Sequence, residues 1–595
     1  MKMMLQSDGM KKVLLTLLCA VGYIAFVLLM QAIVPGNSGF GAEKNQLGYS
    51  AGIFALTALL YDFSRGFFLR FSAFFLLWMS IALLETRVGM AVNGIEIILT
   101  ASLATLLFAI VSVAAYVASI LPSKILRTAG RILVGVLLFC TLLYPFLFWG
   151  YYGVSGQFLS VDTVLAIFQT NTEEAFSYLQ MQHSLLPIFI ACGLIVLGYI
   201  SHKYAIGGGY YKNRIQYVLI LFILVVSGLK FPAALDCQPG GVILTTKAEL
   251  KAYDNYGANL KRREEELARS SISLSQKSPG IYMVILGESQ TRDHMSLYGY
   301  ERETNPWLSS VAQDPAYFIF SNAYSNHAST VPNITYALSE KNQYNDIPLS
   351  EAYSLVEMAK AAGYKTFWVS NQFRFGAHDT PISTIAATAD RQIWINNRSG
   401  NVDNSSYYDE KLADVIPDLS NVSHAVIFVH LMGCHWTYSD RYPAEFAKYA
   451  GEDALIDTYD DAILYNDFVI RRLTDAMEKY PHFKGWIFIS DHGEDVDHHI
   501  GHDATRFTWQ MARIPLIMHF SDSFISENPE IFETLSAHRE SYWTNDLLYN
   551  LMLSVLGIEN TPHREEHLDL ASPSYDRTKG NLMTLHGKKH ISEAP

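Results

Sequence analysis

The chain has 595 residues, of which 50% are hydrophobic and 13% aromatic, and its formal net charge is −13 at pH 7. This length leaves room for more than one domain. Because the acidic composition implies no large basic surface, we expect no nucleic-acid partner. The five cysteines are scattered, which excludes a disulfide framework and a paired-cysteine metal motif.

Apolar residues are concentrated in the first 230 positions, which predicts an α-helical membrane domain over residues 1–232. Residues 13–34 form an uncharged run of 22 residues, long enough to span a bilayer. This run is long for a signal peptide and lacks a convincing cleavage site, so we interpret it as an uncleaved anchor. Further spans are predicted at 47–61, 66–84, 95–121, 132–149, 185–200 and 215–229.

Lysine and arginine fall mainly in alternate connections, which indicates the orientation of these spans. If the N-terminus is cytoplasmic, the inside segments hold eleven lysine and arginine residues: Lys2, Lys11, Lys12, Arg65, Arg70, Lys124, Arg127, Arg131, Lys203, Lys212 and Arg214. The outside connections before the last span hold only Lys44 and Arg87. We therefore expect about seven spans, with a cytoplasmic N-terminus and the chain after Lys230 on the outside. A transporter with a cytoplasmic enzyme domain fits these charges poorly.

The outside connection at 150–184 contains no lysine or arginine. Near 160–178 its apolar residues have helical spacing, typical of an amphipathic helix at the membrane surface. Thr170 and Glu174 are four residues apart and share one face of this helix. By spacing alone, they are simply its polar side.

After the last span, residues 233–279 are predicted to be a charged, partly helical linker, ending in serines and Pro279-Gly280. From 280 to 575, strand-like runs alternate with helical stretches, which predicts a largely parallel sheet covered by helices, an αβα sandwich. The strand runs are 281–288, 365–370, 424–431, 485–490 and 514–520. Residues 576–595 form a tail with no clear signal.

Nine of the thirteen residues at 491–503 are Asp, Glu or His, and they directly follow the strand run 485–490. Asp491 and His492 are thus expected at the carboxyl end of a strand, where open α/β sheets bind ligands. Glu288 follows the strand run that ends at Gly287 in the same way. Asp, Glu and His suit zinc or another borderline divalent metal, so we predict a metal site. The alternative for 491–503 alone is a solvated acidic loop.

Thr330 lies just before Pro332 and a helical run, so we expect it at the N-cap or in the first turn. An ordinary N-cap is the structural alternative. A helix N-terminus favours phosphate, and a hydroxyl beside a dication there could become a nucleophile. The rival hydroxyls are those of Ser289, Thr291 and Ser329.

Four ordered motifs carry a resemblance to a known family: GESQTRDHMSLYGYERETNP, SNHASTVPNITYALS, HLMGCHWTYSDRYP and SDHGE. Together they resemble the membrane phosphoethanolamine transferases, which belong to the alkaline phosphatase and sulfatase superfamily and include lipid A modifiers. The resemblance covers most of residues 280–558 and the plan of a membrane anchor with an external catalytic domain.

The resemblance implies Thr330 as the nucleophile and a zinc site. The implied metal ligands are Glu288, Thr330, Asp491 and His492. The implied substrate-binding residues are His435, His502, Thr170 and Glu174. Three features depart from the family: Ala166 replaces an Asn of the surface helix, the chain lacks the cysteines for the disulfides of the lipid A enzymes, and it has seven predicted spans where those enzymes have five.

The implied reaction moves phosphoethanolamine from phosphatidylethanolamine, through a phosphothreonine, to an envelope glycan such as the lipopolysaccharide core or lipid A. It needs one zinc ion, and residues 495–503 could supply ligands for a second. The alternatives are a phosphoglycerol transferase and a phosphodiesterase or sulfatase-like hydrolase on the same fold. A catalytically inactive membrane scaffold is an alternative of a different class.

Overall fold

The computed structural model describes residues 8–34, 43–87, 95–155, 158–169, 192–193, 195–196, 214–275, 278–372, 381–396, 408–502 and 504–595. The chain divides into two compact units. The first comprises Met1–Val164 and Tyr178–Lys247, and the second comprises Leu165–Ser177 and Ala248–Pro595. All five cysteines are free.

The N-terminal half of the described chain is helical. Its helices are α1 (Asp8–Ala32), α2 (Glu43–Leu60), α3 (Arg65–Arg87), α4 (Ile95–Ile120), α5 (Lys124–Ser155), α6 (Val161–Gln169), α7 (Arg214–Ala234) and α8 (Gln238–Ala258). The helix α4 is apolar on all sides and largely buried, and it packs against α2, α3, α5 and α7. An all-apolar helix of this kind occupies the centre of a bundle.

Within the described residues, five helices are long and apolar enough to cross a membrane. They lie in α1, α3, α4, α5 and α7 and correspond to the predicted spans 13–34, 66–84, 95–121, 132–149 and 215–229. The predicted span 47–61 is helical in α2, but the 18 residues of this helix begin with the polar sequence EKNQ, and it is not among the five. The predicted span 185–200 lies almost wholly outside the described residues. A count of seven therefore stays a prediction.

The second unit is built on a seven-stranded sheet with the order β3-β9-β8-β2-β7-β5-β6. The strands of this unit are β1 (Ser273–Leu274), β2 (Gly280–Gly287), β3 (Tyr317–Phe320), β4 (Asn322–Tyr324), β5 (Lys365–Ser370), β6 (Arg391–Trp394), β7 (His424–His430), β8 (Phe483–Ser490), β9 (Leu516–Phe520), β10 (Tyr542–Thr544), β11 (Ile558–Glu559), β12 (Met583–Thr584) and β13 (Lys589–His590). The neighbours from β8 to β6 are parallel, whereas β9 runs antiparallel to both β8 and β3.

Helices cover both faces of this sheet. They are α9 (Leu260–Leu267), α10 (Pro306–Val311), α11 (Thr330–Ala337), α12 (Leu355–Ala361), α13 (Pro381–Ala387), α14 (Lys411–Val415), α15 (Ala454–Glu478), α16 (Asp522–Glu527), α17 (Pro529–Ala537) and α18 (Leu548–Val555). Alternate residues of β2 enter two separate cores: Val284 joins one and Ile285 the other, and both are fully buried. A strand buried on both faces reads as a continuous apolar run, which is why β2 was predictable. The fold is the predicted αβα sandwich.

Segments on both sides of the predicted catalytic domain pack into this unit. Before it, Arg263 of α9 is fully buried and forms an ion pair with Glu357 of α12 at 3.0 Å. After it, Leu582 and Ile591 are fully buried in the core. The Thr584 hydroxyl donates to the Ser325 carbonyl at 2.7 Å. The segments predicted as linker and tail therefore contribute to the folded unit.

Candidate active site

The candidate site lies where neighbouring strands end at the carboxyl edge of the sheet. The strand β2 is parallel to β8, and Gly287 is level with Ser490, the last residue of β8. The next residues, Glu288 and Asp491, therefore lie side by side. The junction is fixed by the Asp491 N–H, which donates to the Gly287 carbonyl at 3.1 Å.

Glu288, Asp491 and His492 form a compact buried group. One ligand atom from each lies within 4.8 Å of the others, and none of the three residues is more than 1% exposed. His492 Nε2 lies 3.2 Å from Asp491 Oδ2 and 3.6 Å from Glu288 Oε1. The structure thus brings together three of the predicted metal ligands, which we call the metal group.

The hydrogen bonds of the metal group leave acceptor atoms facing one another. His492 Nδ1 lies 3.0 Å from the Gly493 carbonyl oxygen, which can only accept, so Nδ1 bears the proton. The Nε2 lone pair then faces Asp491 Oδ2, a buried oxygen without a hydrogen-bond partner among the described residues. Two acceptors 3.2 Å apart in a buried site are unfavourable unless a cation lies near both. The donor set therefore fits a divalent metal, and its mixed nitrogen and oxygen ligands suit zinc.

The charges of the metal group favour the same interpretation. Burial, together with the charge of Asp491, raises the pKa of Glu288 well above its usual value. Burial lowers the pKa of His492, which keeps the imidazole neutral. In the described part of the chain, no lysine or arginine forms an ion pair with Glu288 or Asp491. A bound dication would allow both carboxyl groups to ionise.

Thr330 contacts the metal group from the start of α11. It is the first residue of this helix, after the N-cap Ser329, and thus lies in the first turn as predicted. Its hydroxyl lies 3.2 Å from Glu288 Oε1 and 3.3 Å from His492 Nε2. Because Thr330 is only half-buried, the hydroxyl can contact the metal group and a substrate at once.

Two of the rival hydroxyls are less accessible. Ser289 is fully buried, and its hydroxyl donates to Glu288 Oε1 at 3.0 Å. Thr291 is also fully buried, and its hydroxyl donates to the Arg513 carbonyl at 3.1 Å. The third rival, Ser329, occupies the N-cap position without a side-chain capping bond.

A second group of possible ligands shares His492 with the metal group. Its members, His492, Glu494 and His502, also offer ligand atoms within 4.8 Å of one another. His502 Nδ1 lies 2.8 Å from Glu494 Oε2, and the rings of His502 and His492 are 4.4 Å apart. Within the described part of 495–503, only His502 belongs to this second group.

His435 lies close to the same histidines. Burial lowers its pKa well below the usual value, and the charges of Arg441, His502 and His492 act in the same direction. Both substrate-facing histidines implied by the resemblance are therefore near the metal group. Thr170 and Glu174, the other two implied substrate-binding residues, lie outside the described residues.

Asn545 is a structural member of the site that sequence reasoning missed. Its Nδ2 donates to the Asp491 carbonyl at 2.8 Å, and its Oδ1 accepts the Asn326 backbone N–H at 2.8 Å. The same amide donates to Asn333 Oδ1 on α11 at 2.9 Å. Asn545 therefore joins the chain before and within the Thr330 helix to the metal group. Its only sequence signal is its place directly after the short strand β10.

Gln372 and His430 were also missed. Gln372, two residues after β5, donates to the Leu431 carbonyl at 2.8 Å and to Glu288 Oε2 at 3.4 Å. His430 ends β7 and is 3% exposed, and neither ring nitrogen has a hydrogen-bond partner among the described residues. Burial lowers its pKa to about 4, against the opposing charge of Asp491. His430 is the last residue of β7 and Gln372 follows β5 by two residues, and these positions were the available signal.

The loop after β7 approaches Glu288 closely. The Cys434 N–H donates to the Glu288 carbonyl at 2.9 Å. Gly433 has a φ of +52°, and a Cβ at this position would lie 2.8 Å from the Glu288 nitrogen. Glycine is therefore required here for both the backbone angle and the close contact.

Comparison with known proteins supports the assignment of this fold. A family model described as Sulfatase matches residues 281–558, which contain the metal group and Thr330. Phosphoethanolamine transferase EptC of Escherichia coli (strain K12) is 27% identical over 424 residues, covering 64% of this chain and 73% of EptC. Phosphoethanolamine transferase CptA of Salmonella typhimurium is 25% identical over 435 residues, with the same two coverages.

A solved structure extends the likeness beyond residues 281–558. The integral membrane lipooligosaccharide phosphoethanolamine transferase A of Neisseria meningitidis matches with a TM-score of 0.56 and 17% identity, covering 87% of this chain and 98% of that protein. At this identity the match shows a shared fold. The resemblance to membrane phosphoethanolamine transferases and the predicted fold class are confirmed. The protein is a multi-pass membrane protein with an αβα C-terminal domain that is similar to the Sulfatase family.

Proposed function

We propose that this protein is a phosphoethanolamine transferase that uses phosphatidylethanolamine as its donor. The observation that carries the proposal is the half-buried Thr330 hydroxyl, placed against Glu288 and His492 at the start of a helix. The names of the relatives EptC and CptA support the same reaction. A helical membrane domain suits a donor that is a lipid.

We infer a zinc ion held by Glu288, Thr330, Asp491 and His492. When bound, zinc would lower the pKa of the threonine hydroxyl and polarise the phosphate. The second group offers ligands for a second ion. The free N–H groups at the start of α11 would favour the phosphate of the donor.

In the first half-reaction, Thr330 Oγ1 attacks the phosphorus of the donor. The hydroxyl proton passes to the Glu288 carboxylate, 3.2 Å away. The bond between phosphorus and the diacylglycerol oxygen breaks, and His502 supplies a proton to this oxygen, while the neutral His435 holds a phosphate oxygen. Phosphoethanolamine remains esterified to Thr330.

In the second half-reaction, a hydroxyl or phosphate of the acceptor attacks the phosphothreonine. The bond between phosphorus and Thr330 Oγ1 breaks, Glu288 returns its proton to the threonine oxygen, and the proton of the acceptor passes to His502. We assign the acceptor to an envelope glycan, either the lipopolysaccharide core or lipid A. This assignment places the protein in the inner membrane with its sulfatase domain in the periplasm.

The domain plan that accompanies this function has a membrane domain at 1–232, a linker at 233–279, a catalytic domain at 280–575 and a tail at 576–595. Thr170 and Glu174, on the predicted surface helix near 160–178, are assigned to substrate binding. They complete the set of residues proposed to act on the donor.

The test is the intact mass of the full-length protein after incubation with zinc and vesicles of phosphatidylethanolamine. We expect a phosphoethanolamine adduct on the wild type, located at Thr330 by peptide mapping, and none on Thr330→Ala. Thr330→Ser is the matched control, because it keeps a hydroxyl and should still form the adduct. Diacylglycerol release is measured in parallel, since rapid turnover would leave little adduct.

Three outcomes would contradict the proposal. Equal diacylglycerol release by wild type and Thr330→Ala would exclude Thr330 as the nucleophile. An adduct at Ser289, Thr291 or Ser329 would move the nucleophile to that residue. An adduct formed only from phosphatidylglycerol vesicles would identify a phosphoglycerol transferase.

A further inference from the structure

The helical membrane unit contains a buried polar cluster where α3 ends and α4 begins. Its two carboxyl groups belong to Glu85, which is 1% exposed, and Glu96, which is 7% exposed. They are close enough for their charges to interact. Acidic groups buried in a membrane domain are costly, and they usually mark a functional site.

The two carboxyl groups differ in how well they are satisfied. Glu96 accepts the Thr100 hydroxyl at 2.6 Å and the Gln238 backbone N–H at 3.0 and 3.1 Å. Glu85 Oε2 is buried and has no hydrogen-bond partner among the described residues. Among the described residues, no lysine or arginine forms an ion pair with either carboxyl group. The cluster therefore has unused capacity to bind a cation.

An aromatic pair adjoins these carboxyl groups. The rings of Trp78 and Tyr144 are stacked, with centroids 5.8 Å apart and an interplanar angle of 12°. Both residues are at least nine-tenths buried, and the Trp78 indole N–H and the Tyr144 hydroxyl lack hydrogen-bond partners among the described residues. Tyr144 lies within electrostatic range of Glu85 and Glu96. Trp78 precedes Glu85 by two helical turns and so lies on the same side of α3.

We propose that this cluster binds the zwitterionic headgroup of phosphatidylethanolamine. The ammonium group offers three hydrogen-bond donors and a positive charge, which match Glu85 Oε2 and the neighbouring Glu96 carboxylate. The aromatic faces add a cation–π contribution. The phosphate oxygens accept hydrogen bonds from Trp78 and Tyr144, whose donors are otherwise unused.

The proposal rests on the proposed function, which makes this lipid the donor, and it adds a headgroup site within the membrane unit itself. No such site follows from Thr330 or the metal group. Because the cluster is closed to solvent, the helices must part for the lipid to enter or leave. A bound lipid should therefore exchange slowly and remain attached during purification.

The test is native mass spectrometry of the full-length protein released from nanodiscs containing equal amounts of phosphatidylethanolamine and phosphatidylglycerol. We expect the wild type to retain phosphatidylethanolamine preferentially and Glu85→Gln to lose this preference by at least tenfold. Glutamine has the shape of a protonated glutamic acid, so a purely structural role would survive the change. Tyr144→Phe, which removes the unused hydroxyl, should weaken retention less.

The matched control is Asp62→Asn, which also neutralises one carboxylate of this unit. Asp62 lies before α3, at the end away from Glu85, and is largely exposed in an ion pair with Lys12. It should leave lipid retention unchanged. Equal retention of phosphatidylethanolamine by wild type and Glu85→Gln would overturn the proposal. So would a parallel loss of both lipids, which would indicate general lipid contact.

The Thr330 adduct is measured on the same preparations, so the two proposals can fail separately. An adduct on the wild type with unchanged retention in Glu85→Gln would overturn the headgroup site and leave the transferase intact. Selective loss of phosphatidylethanolamine in Glu85→Gln, without any adduct or diacylglycerol release by the wild type, would support the headgroup site and overturn the proposed transferase.

Discussion

Asp491 Oδ2 is a buried carboxylate oxygen that faces the lone pair of His492 Nε2 without a hydrogen-bond partner among the described residues. A folded protein tolerates such an atom when a bound group compensates for it. The sequence predicted Asp491, His492 and Glu288 because each directly follows a strand. It did not predict Asn545 or Gln372, because their side-chain amides reach the site only through hydrogen bonds between distant parts of the chain.

We expect Asp491→Asn to weaken zinc binding by at least about 100-fold, since loss of a ligand should cost no less than loss of an outer-sphere partner. The amide replaces one charged ligand oxygen by a neutral group. Zinc affinity is measured by competition with a chelator, using the full-length protein. Asp418→Asn, an identical change at an exposed site, should leave the affinity unchanged. An unaltered affinity in Asp491→Asn would remove this residue from the metal site.

Glu340 provides a residue-scale prediction on pH. It is 2% exposed, and burial raises its pKa to about 8. Because the pKa of Glu340 is higher in the native state than in the unfolded state, the wild type has its full stability below the unfolded pKa near 4.5. It loses stability as the pH rises from there towards the native pKa of about 8. We therefore expect Glu340→Gln to gain stability over wild type between pH 5 and 8, by up to about 5 kcal/mol.

The measurement is thermal unfolding of both proteins in detergent across this pH range. Glu351→Gln is the control, because Glu351 is exposed in the turn before α12. A constant difference between Glu340→Gln and wild type at all pH values would show that Glu340 does not ionise in this range.

At the scale of elements, prediction succeeded where one strand or helix carries its own signal. The predicted strand 365–370 coincides with β5, and the other four predicted strands overlap β2, β7, β8 and β9. The short strands β3 and β6 were not predicted, because four residues give too little periodicity. The antiparallel direction of β9 also could not be predicted from the sequence, since it depends on pairing between distant segments.

The loop after β7 gives an element-scale prediction. Gly433→Ala should lower the melting temperature and reduce the proposed transferase activity at least tenfold, because its Cβ would displace Glu288. Gly363→Ala is the matched control: Gly363 has a φ of +103°, but a Cβ there meets nothing within 4 Å. The two variants separate backbone strain from the close contact. Equal activity in both would show that Glu288 does not depend on this loop.

At the scale of the whole molecule, the sequence predicted a helical membrane unit followed by an αβα domain. Composition and charge placement were sufficient for this plan, since runs of apolar residues and the alternation of strands and helices are local features. Composition and charge placement did not predict that residues 576–595 contribute to the core. Leu582 and Ile591 are isolated apolar residues in a polar segment, and their burial depends on the surface that they meet.

The absence of disulfides gives a whole-molecule prediction. All five cysteines are free, and only Cys434 lies after residue 248. We therefore expect dithiothreitol to leave the melting temperature of the protein unchanged. The comparison is a thermal melt with and without the reductant, and a secreted protein with known disulfides serves as the positive control. A lower melting temperature under reducing conditions would contradict the structure.

The buried pair of Arg263 and Glu357 determines where a soluble fragment of this protein should begin. A fragment that starts at residue 280 would lack α9 and leave the Glu357 carboxylate buried without its positive partner, at a cost of about 3–5 kcal/mol. It would also expose the core surface that Tyr256 and Leu267 cover. A crystallisation fragment beginning near residue 248 keeps these contacts, so α9 and the C-terminal half of α8 are best expressed together with the rest of the second unit.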